Sequence, residues 1–184
     1  MNNTWVTADQ HFGHKGIIHF LNRPFKSTDE MDEVLIVNWN ARVGENDLVY
    51  VLGDMIWVGD AKQILDKLKG KIIYIPSLEW THEKIVLECR DRFEKVSPLL
   101  TIKTIGTYGI YITLCHYCMR TWPKSHYNSW HLFAHSHGRL EAIGKSQDVG
   151  VDTHNFFPYS LDEITAIMKG RPDNPGYLRI QRKL

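Results

Sequence analysis

Side chains able to hold a metal recur at places where apolar runs give out. Thr7-Ala8-Asp9-Gln10-His11-Phe12-Gly13-His14 follows the short apolar segment Trp5-Val6. That order puts a carboxylate and an imidazole two residues apart at the carboxyl end of a first strand. With a local bend, which Gly13 eases, the pair can close on one cation. Gly53-Asp54 ends the run Leu48-Val49-Tyr50-Val51-Leu52, and His116 closes an alternating segment after Leu114-Cys115. His135-Ser136-His137, followed by Gly138, ends Leu132-Phe133-Ala134. Two imidazoles two apart at a strand end serve coordination more readily than packing. Cys115 and Cys118 form a Cys-x-x-Cys pair, a pattern open to zinc or redox work. With no second cysteine pair and strand-like flanks, ordinary core thiols are the preferred reading.

Together Asp9, His11, Asp54, His116, His135 and His137 supply two carboxylates and four imidazoles. Mixed nitrogen and oxygen ligation suits Mn, Fe, Zn or Ni better than Mg or Ca, which take oxygen shells. The set exceeds what one tetrahedral ion needs. If one carboxylate bridges, two divalent cations about 3.5–4 Å apart are the natural occupants. Such a pair lowers the pKa of a bridging water and clamps phosphate oxygens, the requirement for in-line hydrolysis of a phosphoester.

Those residues work only if the chain brings strand ends together. Gly16 to Leu21 reads as a short helix stopped before Arg23-Pro24. Ser27-Thr28-Asp29 caps a second helix, with Met31, Val34, Leu35 and Ile36 on its apolar face and Trp39 near its end. Leu48 to Leu52 is a buried strand. Ala61, Ile64, Leu65 and Leu68 mark a helix face stopped by Gly70. Lys71 to Ile75 is a strand broken by Pro76, and a helix follows over roughly residues 81–92. Val96–Ile102, Tyr108–Cys115 and Trp130–Ala134 read as strands, and residues 148–152 as a short strand with its turn. Ser160-Leu161-Asp162-Glu163 caps a last helix through Met168. Helices and strands alternate first and strands dominate later, so one α/β layer followed by a more antiparallel layer is expected, in a single domain over residues 1–184. Ligand sites in open α/β sheets lie beyond the carboxyl ends of strands, where these candidates fall.

The chain has 184 residues, 43% of them apolar and 23% charged, with a net charge of +1, values ordinary for a globular domain with a proper core. That charge balance offers no footprint for long nucleic acid or an anionic membrane. No apolar run approaches the roughly 20 residues that span a bilayer, and the polar opening Met1-Asn2-Asn3-Thr4 has no signal-peptide character. Three cysteines, an odd number, argue against a disulfide framework. A cytoplasmic location is the expectation.

From Asp9 to about Pro158 the order and spacing resemble the calcineurin-like metallophosphoesterases, in particular small bacterial and phage-type members that open with Asp-x-His-Phe-Gly-His. Asp9-Gln10-His11 is similar to the first motif, Gly53-Asp54 to the second, His116 to the fourth and His135-Ser136-His137 to the fifth. The resemblance implies an α+β four-layer sandwich, two mixed β-sheets packed face to face with helices outside. It implies two divalent metals, Mn foremost with Fe, Zn or Ni as alternatives. Asp9, His11, Asp54 and His137 would hold the first; Asp54, His116 and His135 the second, with Asp54 bridging. A hydroxide held between them would hydrolyse a small phosphomonoester or phosphodiester. His14, Arg23 and Trp57 match positions near substrate.

The third motif departs from the family. Where Gly-Asn-His-Asp or Gly-Asn-His-Glu belongs, this chain has Pro76-Ser77-Leu78-Glu79-Trp80. One register puts Leu78 at the metal-binding Asn and Glu79 at the catalytic His. A one-residue slip puts Ser77 and Leu78 there instead. Either way the second site loses a ligand unless Glu79 bends in. His82 is the nearby imidazole able to act as general acid, and His14 is a further catalytic candidate. A milder change is Ala134 before His135, where Gly is usual. The rival expectation is a catalytically weak or inactive member that serves as a binding or scaffold protein.

Overall fold

The computed structural model describes residues 2–104 and 109–176, without the side chains of residues 80–82. Nine strands form two sheets among the described residues. The first sheet runs β4 (Phe93–Val96), β3 (Lys71–Tyr74), β2 (Leu48–Val51), β1 (Thr4–Thr7) and β9 (Tyr159–Ser160). β1 to β4 are parallel, and β9 pairs with β1 antiparallel at the edge. The second sheet runs β5 (Leu99–Lys103), β6 (Tyr111–Cys115), β7 (Trp130–Phe133) and β8 (Ser146–Asp148). Only its β5–β6 pair is antiparallel; β6–β7 and β7–β8 are parallel. The expected antiparallel layer is therefore a mixed sheet, because residues 116–129 return the chain to the end from which β6 started.

The helices are α1 (Lys15–Leu21), α2 (Thr28–Arg42), α3 (Ala61–Asp66), α4 (Trp80–Leu87) and α5 (Leu161–Gly170). Their ends follow the cap residues. Ser27 accepts from Glu30 N and opens α2, Asp60 accepts from Gln63 N and opens α3, and Ser160 with Glu163 forms a capping box on α5. α2 runs three residues past Trp39, which stays buried and donates its indole N–H to the Lys69 carbonyl. The run expected as one strand over Val96–Ile102 is divided. Ser97-Pro98 carries the chain from β4 in one sheet to β5 in the other, and proline cannot donate to a continuing ladder. Tyr108, expected to begin β6, lies outside the described residues.

Alternation along the first sheet decides the packing. Trp5, Val49, Val51, Ile72 and Tyr74 face α1 to α4 in one buried cluster. Val6, Ala8, Tyr50, Leu52 and Ile75 face the other way, in a cluster shared with Ile112, Leu114, Trp130 and Leu132 of the second sheet. α5 inserts Ile164 and Met168 into the same cluster. The outer face of the second sheet carries His131, whose ring meets Trp122 of the 116–129 segment at 5.3 Å. The architecture is α/β, with two mixed sheets and five helices among the described residues. No helix among them is long and apolar enough to cross a membrane.

Candidate metal centre

β1 and β2 lie side by side, so the turns that follow them emerge together. Their pairing continues beyond the strands: Asp9 N–H donates to the Gly53 carbonyl at 3.2 Å, and His11 N–H to the Asp54 carbonyl at 3.0 Å. β6 and β7 end at the same rim, bringing His116 and His135. Two groups result. Asp9, His11 and His137 each offer a ligand atom within 4.8 Å of the others, and so do Asp54, His116 and His135. Asp54 Oδ2 stands 3.7 Å from His11 Nε2 and 3.7 Å from His116 Nε2, which puts it between the groups. The six candidate residues are thus brought together as two groups, with Asp54 belonging to the second and standing 3.7 Å from His11 of the first.

The backbone is strained at these positions. Asp9, His11, Asp54, His135 and His137 all have φ between 47° and 67°, a region costly for residues with a Cβ. Left-handed single residues turn consecutive side chains toward one point, and such strain gathers at functional sites. Gly53 has φ 75°, and a Cβ there would stand 2.6 Å from His116 Nδ1 and 2.9 Å from Ser77 N. Gly150 lets Asp9 approach, since a Cβ would meet Asp9 Oδ2 at 2.7 Å.

Several groups outside the ligand set hold it in place. His116 Nδ1 is 2.7 Å from the Leu52 carbonyl, which only accepts, so the proton sits on Nδ1 and Nε2 keeps its lone pair. That Nε2 is 3.2 Å from His135 Nδ1. His137 Nδ1 is 2.8 Å from Asp152 Oδ2. Asp148 braces the fifth-motif turn, accepting from Ser136 Oγ and Gly138 N with one oxygen and from Gly150 N with the other. Glu83 of α4, 1% exposed, accepts from Ser77 N, Asp54 N and Tyr74 Oη. None of Asp148, Asp152 and Glu83 was evident from sequence. Asp148 and Asp152 carried a faint signal, two carboxylates around the glycine of Asp-Val-Gly-Val-Asp. Glu83 carried none beyond a helix-favouring residue type.

The electrostatics favour a cation. Burial, reinforced by Asp54, Asp148 and Asp152, pushes the Asp9 carboxyl well above the usual range. Burial, with His137 and Arg23 adding to it, holds His11 well below the ordinary imidazole value. Burial also lowers His116, opposed by the Asp54 charge. Asp152 goes the other way: burial raises it, and the hydrogen bonds from His137 and Arg23 more than offset that. Asp9 Oδ1, His11 Nε2 and Asp54 Oδ1 are buried with no hydrogen-bond partner. Orphaned lone pairs on two carboxylates and an imidazole of these two groups fit divalent cations of the Mn, Fe, Zn or Ni kind.

The remaining candidates divide. His14 stacks on Trp57 with ring centroids 3.9 Å apart, and its Nδ1 is 3.3 Å from His11 Nδ1, so both border the first group. Arg23, expected beside substrate, is instead 5% exposed. Its guanidinium donates to Asp152, to the Asp9 and Gln10 carbonyls and to Met31 Sδ, leaving no free fork for a phosphate. Asn22, with φ 52°, ends α1 and turns Arg23 inward. Leu78 is 62% exposed, and Glu79 occupies the N-cap position of α4, with Tyr117 Oη 3.5 Å from its Oε1. The second group consists of Asp54, His116 and His135, and the Glu79 charge is close enough to act on His116. His82 lies in the first turn of α4, and its side chain is outside the described residues. The cysteines are free, and burial raises the Cys118 thiol to about 11, as expected of core thiols rather than reactive ones.

No protein-family model matches the chain. A protein of Methanocaldococcus jannaschii, the uncharacterized protein MJ1445, is 30% identical over 184 residues, covering 92% of this chain and 93% of its own. The Gene 66 protein of Mycobacterium phage L5 is 40% identical over 55 residues, 30% of this chain and 26% of the phage protein. The crystal structure of AQ665 from Aquifex aeolicus, a protein of unknown function, superposes with a TM-score of 0.69 at 21% identity. It covers 91% of this chain and 100% of that one, which is a likeness of fold.

Proposed function

The chain belongs to one family with MJ1445 of Methanocaldococcus jannaschii, and for this member we propose a metal-dependent phosphoesterase with a metallophosphoesterase-like fold. Its substrate is a small phosphomonoester or phosphodiester. The observation that carries the reading is Asp54 Oδ2, 3.7 Å from an imidazole nitrogen of each ligand group, with orphaned lone pairs on Asp9, His11 and Asp54 around it. When bound, two divalent cations, Mn foremost, supply the activated water and the positive charge that in-line phosphoester hydrolysis needs.

The chain's own residues do the rest. Asp9, His11 and His137 form one wall and Asp54, His116 and His135 the other, both preorganised by the strained turns, so little reorganisation remains for the reaction. His14 and Trp57 make an aromatic rim beside His11, a surface against which the leaving group can lie. Protonation of the departing oxygen falls to His14, or to the third-motif side through Glu79 or His82. A second reading, a catalytically weak or inactive member acting as a binding or scaffold protein, is favoured by one feature. In either register of the third motif, exposed Leu78 stands where the metallophosphoesterases carry the metal-binding Asn or the catalytic His.

One experiment separates them. Metal content of the purified protein is measured with hydrolysis of p-nitrophenyl phosphate and bis-p-nitrophenyl phosphate in Mn, Ni, Zn and Mg. Two bound equivalents with metal-dependent turnover are expected. A folded, metal-loaded protein inactive over a broad panel would favour the scaffold, and a protein that takes up no metal would defeat the enzyme reading.

A further inference from the structure

Arg23 and Asp152 lie 129 residues apart in sequence and meet behind the first ligand group. Arg23 Nε donates to Asp152 Oδ1 and Nη2 to Oδ2, each at 2.8 Å, the two-pronged arrangement in which neither partner can swing. The same Nη2 reaches the Asp9 carbonyl at 2.7 Å, and Nη1 the Gln10 carbonyl at 2.9 Å. Asp152 sits in a 3-10 turn, Val151–Thr153, tied to the end of β1 by Val151 N–H to the Ala8 carbonyl at 3.0 Å. Its position is therefore set relative to Asp9 twice, through the guanidinium and through the backbone. From that fixed point Oδ2 accepts from His137 Nδ1 at 2.8 Å. A carboxylate cannot donate, so the proton is on Nδ1 and the free lone pair is on Nε2.

We propose that Asp152, clamped by Arg23, is a positioning residue that fixes the tautomer and ring orientation of His137 and thereby sets the affinity of the first metal site. The proposal rests on the phosphoesterase reading for the presence of that metal. Direct ligation by Asp152 is disfavoured because Arg23 already takes both of its oxygens. An imidazole held in one tautomer by a carboxylate is also a more basic ligand, and losing such a partner costs about 10–100-fold in metal affinity.

The test uses wild type, Asp152→Ala and Asp152→Asn. Nitrogen-15 NMR of the histidine rings in metal-free protein reads the tautomer, and calorimetric titration with Mn2+ reads each site. In wild type His137 carries its proton on Nδ1. In Asp152→Ala it shifts toward Nε2–H, first-site affinity falls about 10–100-fold, and the second site is unchanged. Asp152→Asn, which keeps an acceptor, falls between the two and supplies the same readings if the alanine variant fails to fold. His131 reports on the fold throughout, since its Nδ1 is held by the Thr113 carbonyl away from the site. Wild-type tautomer and affinity in a folded Asp152→Ala would overturn the proposal. Lost affinity with an unchanged tautomer would also overturn it, in favour of direct ligation. A wild type that binds neither Mn2+ nor, in the same titration, Zn2+ or Ni2+ defeats the phosphoesterase reading itself, an outcome distinct from either.

Discussion

Around Asp9, His11 and His137 the ligands are buried or nearly so, with Asp9 at 0% and His11 at 4% exposure, and each has a neighbour fixing it. Asp9 Oδ2 accepts from His135 N, His11 borders His14, and His137 is held by Asp152. Around Asp54, His116 and His135 the support thins outward. His116 is buried and locked to Leu52, Asp54 N–H leans on Glu83 at 3.3 Å, and His135 is exposed. Beyond it lies the altered segment Pro76–Glu79. One half is a finished cradle; the other is finished on its inner side and exposed at His135. The difference teaches that similar spacing of candidate ligands does not by itself make two equal sites. What fixes the nitrogens and oxygens from behind would decide how tightly each group holds a cation.

Asp54 joins the halves, so its removal has the largest expected effect. Asp54→Ala should empty both sites, taking metal-dependent hydrolysis to background. Asp54→Asn tests the same point with a side chain that tolerates left-handed backbone and should lose most metal while keeping the fold. Elemental analysis that finds two metals per folded Asp54→Ala chain would remove Asp54 from its joining role.

Much of this centre was legible in the sequence, for reasons that residue type and place make plain. An acidic or imidazole side chain at the end of an apolar run signals a strand-end turn, and Asp9, Asp54 and His135 all announced themselves that way, Asp54 with Gly53 before it. The helix starts at Ser27 and Ser160 were readable because caps act locally, within three residues. The supporting layer was hidden because it is non-local. Arg23 reads as a cation available to an anionic substrate, and only the fold shows its partner to be Asp152. Glu83 reads as a solvated helix position until α4 packs it under Ser77 and Asp54. The split of Val96–Ile102 between two sheets was concealed by continuous β character, although Pro98 marked the place.

The more exposed half can be sharpened by introducing the third-motif pattern of the metallophosphoesterases that the sequence resembles. Leu78→Asn with Glu79→His should raise metal retention at the Asp54, His116, His135 group. It should also speed hydrolysis of esters with poor leaving groups by about two to four powers of ten, the worth of a general acid. p-Nitrophenyl esters should gain little, since that leaving group departs unaided. If Glu79 or His82 already serves there, the same pair of changes should slow the reaction, and His82→Ala alone should slow poor leaving groups selectively. Equal response of both ester classes would detach the third-motif segment from leaving-group chemistry.

The smallest expected effect is the one that measures the two halves directly. His137 and His135 differ by two residues, and both have left-handed backbone, φ 48° and 67°. Yet they face different groups, and only His137 is backed by a carboxylate within hydrogen-bond reach. His137→Ala removes a preorganised ligand from a buried group and leaves Asp152 and Arg23 paired behind a gap. First-site affinity should drop by at least the 10–100-fold that losing an outer partner costs. His135→Ala removes an exposed ligand, one that water can replace, so its cost should be smaller and confined to the second site. Its main chain still donates to Asp9 Oδ2 at 3.0 Å, which keeps the first group intact. Anomalous scattering on crystals of the two variants, soaked in Mn2+ at limiting concentration, reads each occupancy separately. The first site should be depleted in one variant and the second in the other. If both variants lose the same metal, the partition of the two histidines fails; if His135→Ala is the more damaging, so does the claim that the buried half is the tighter.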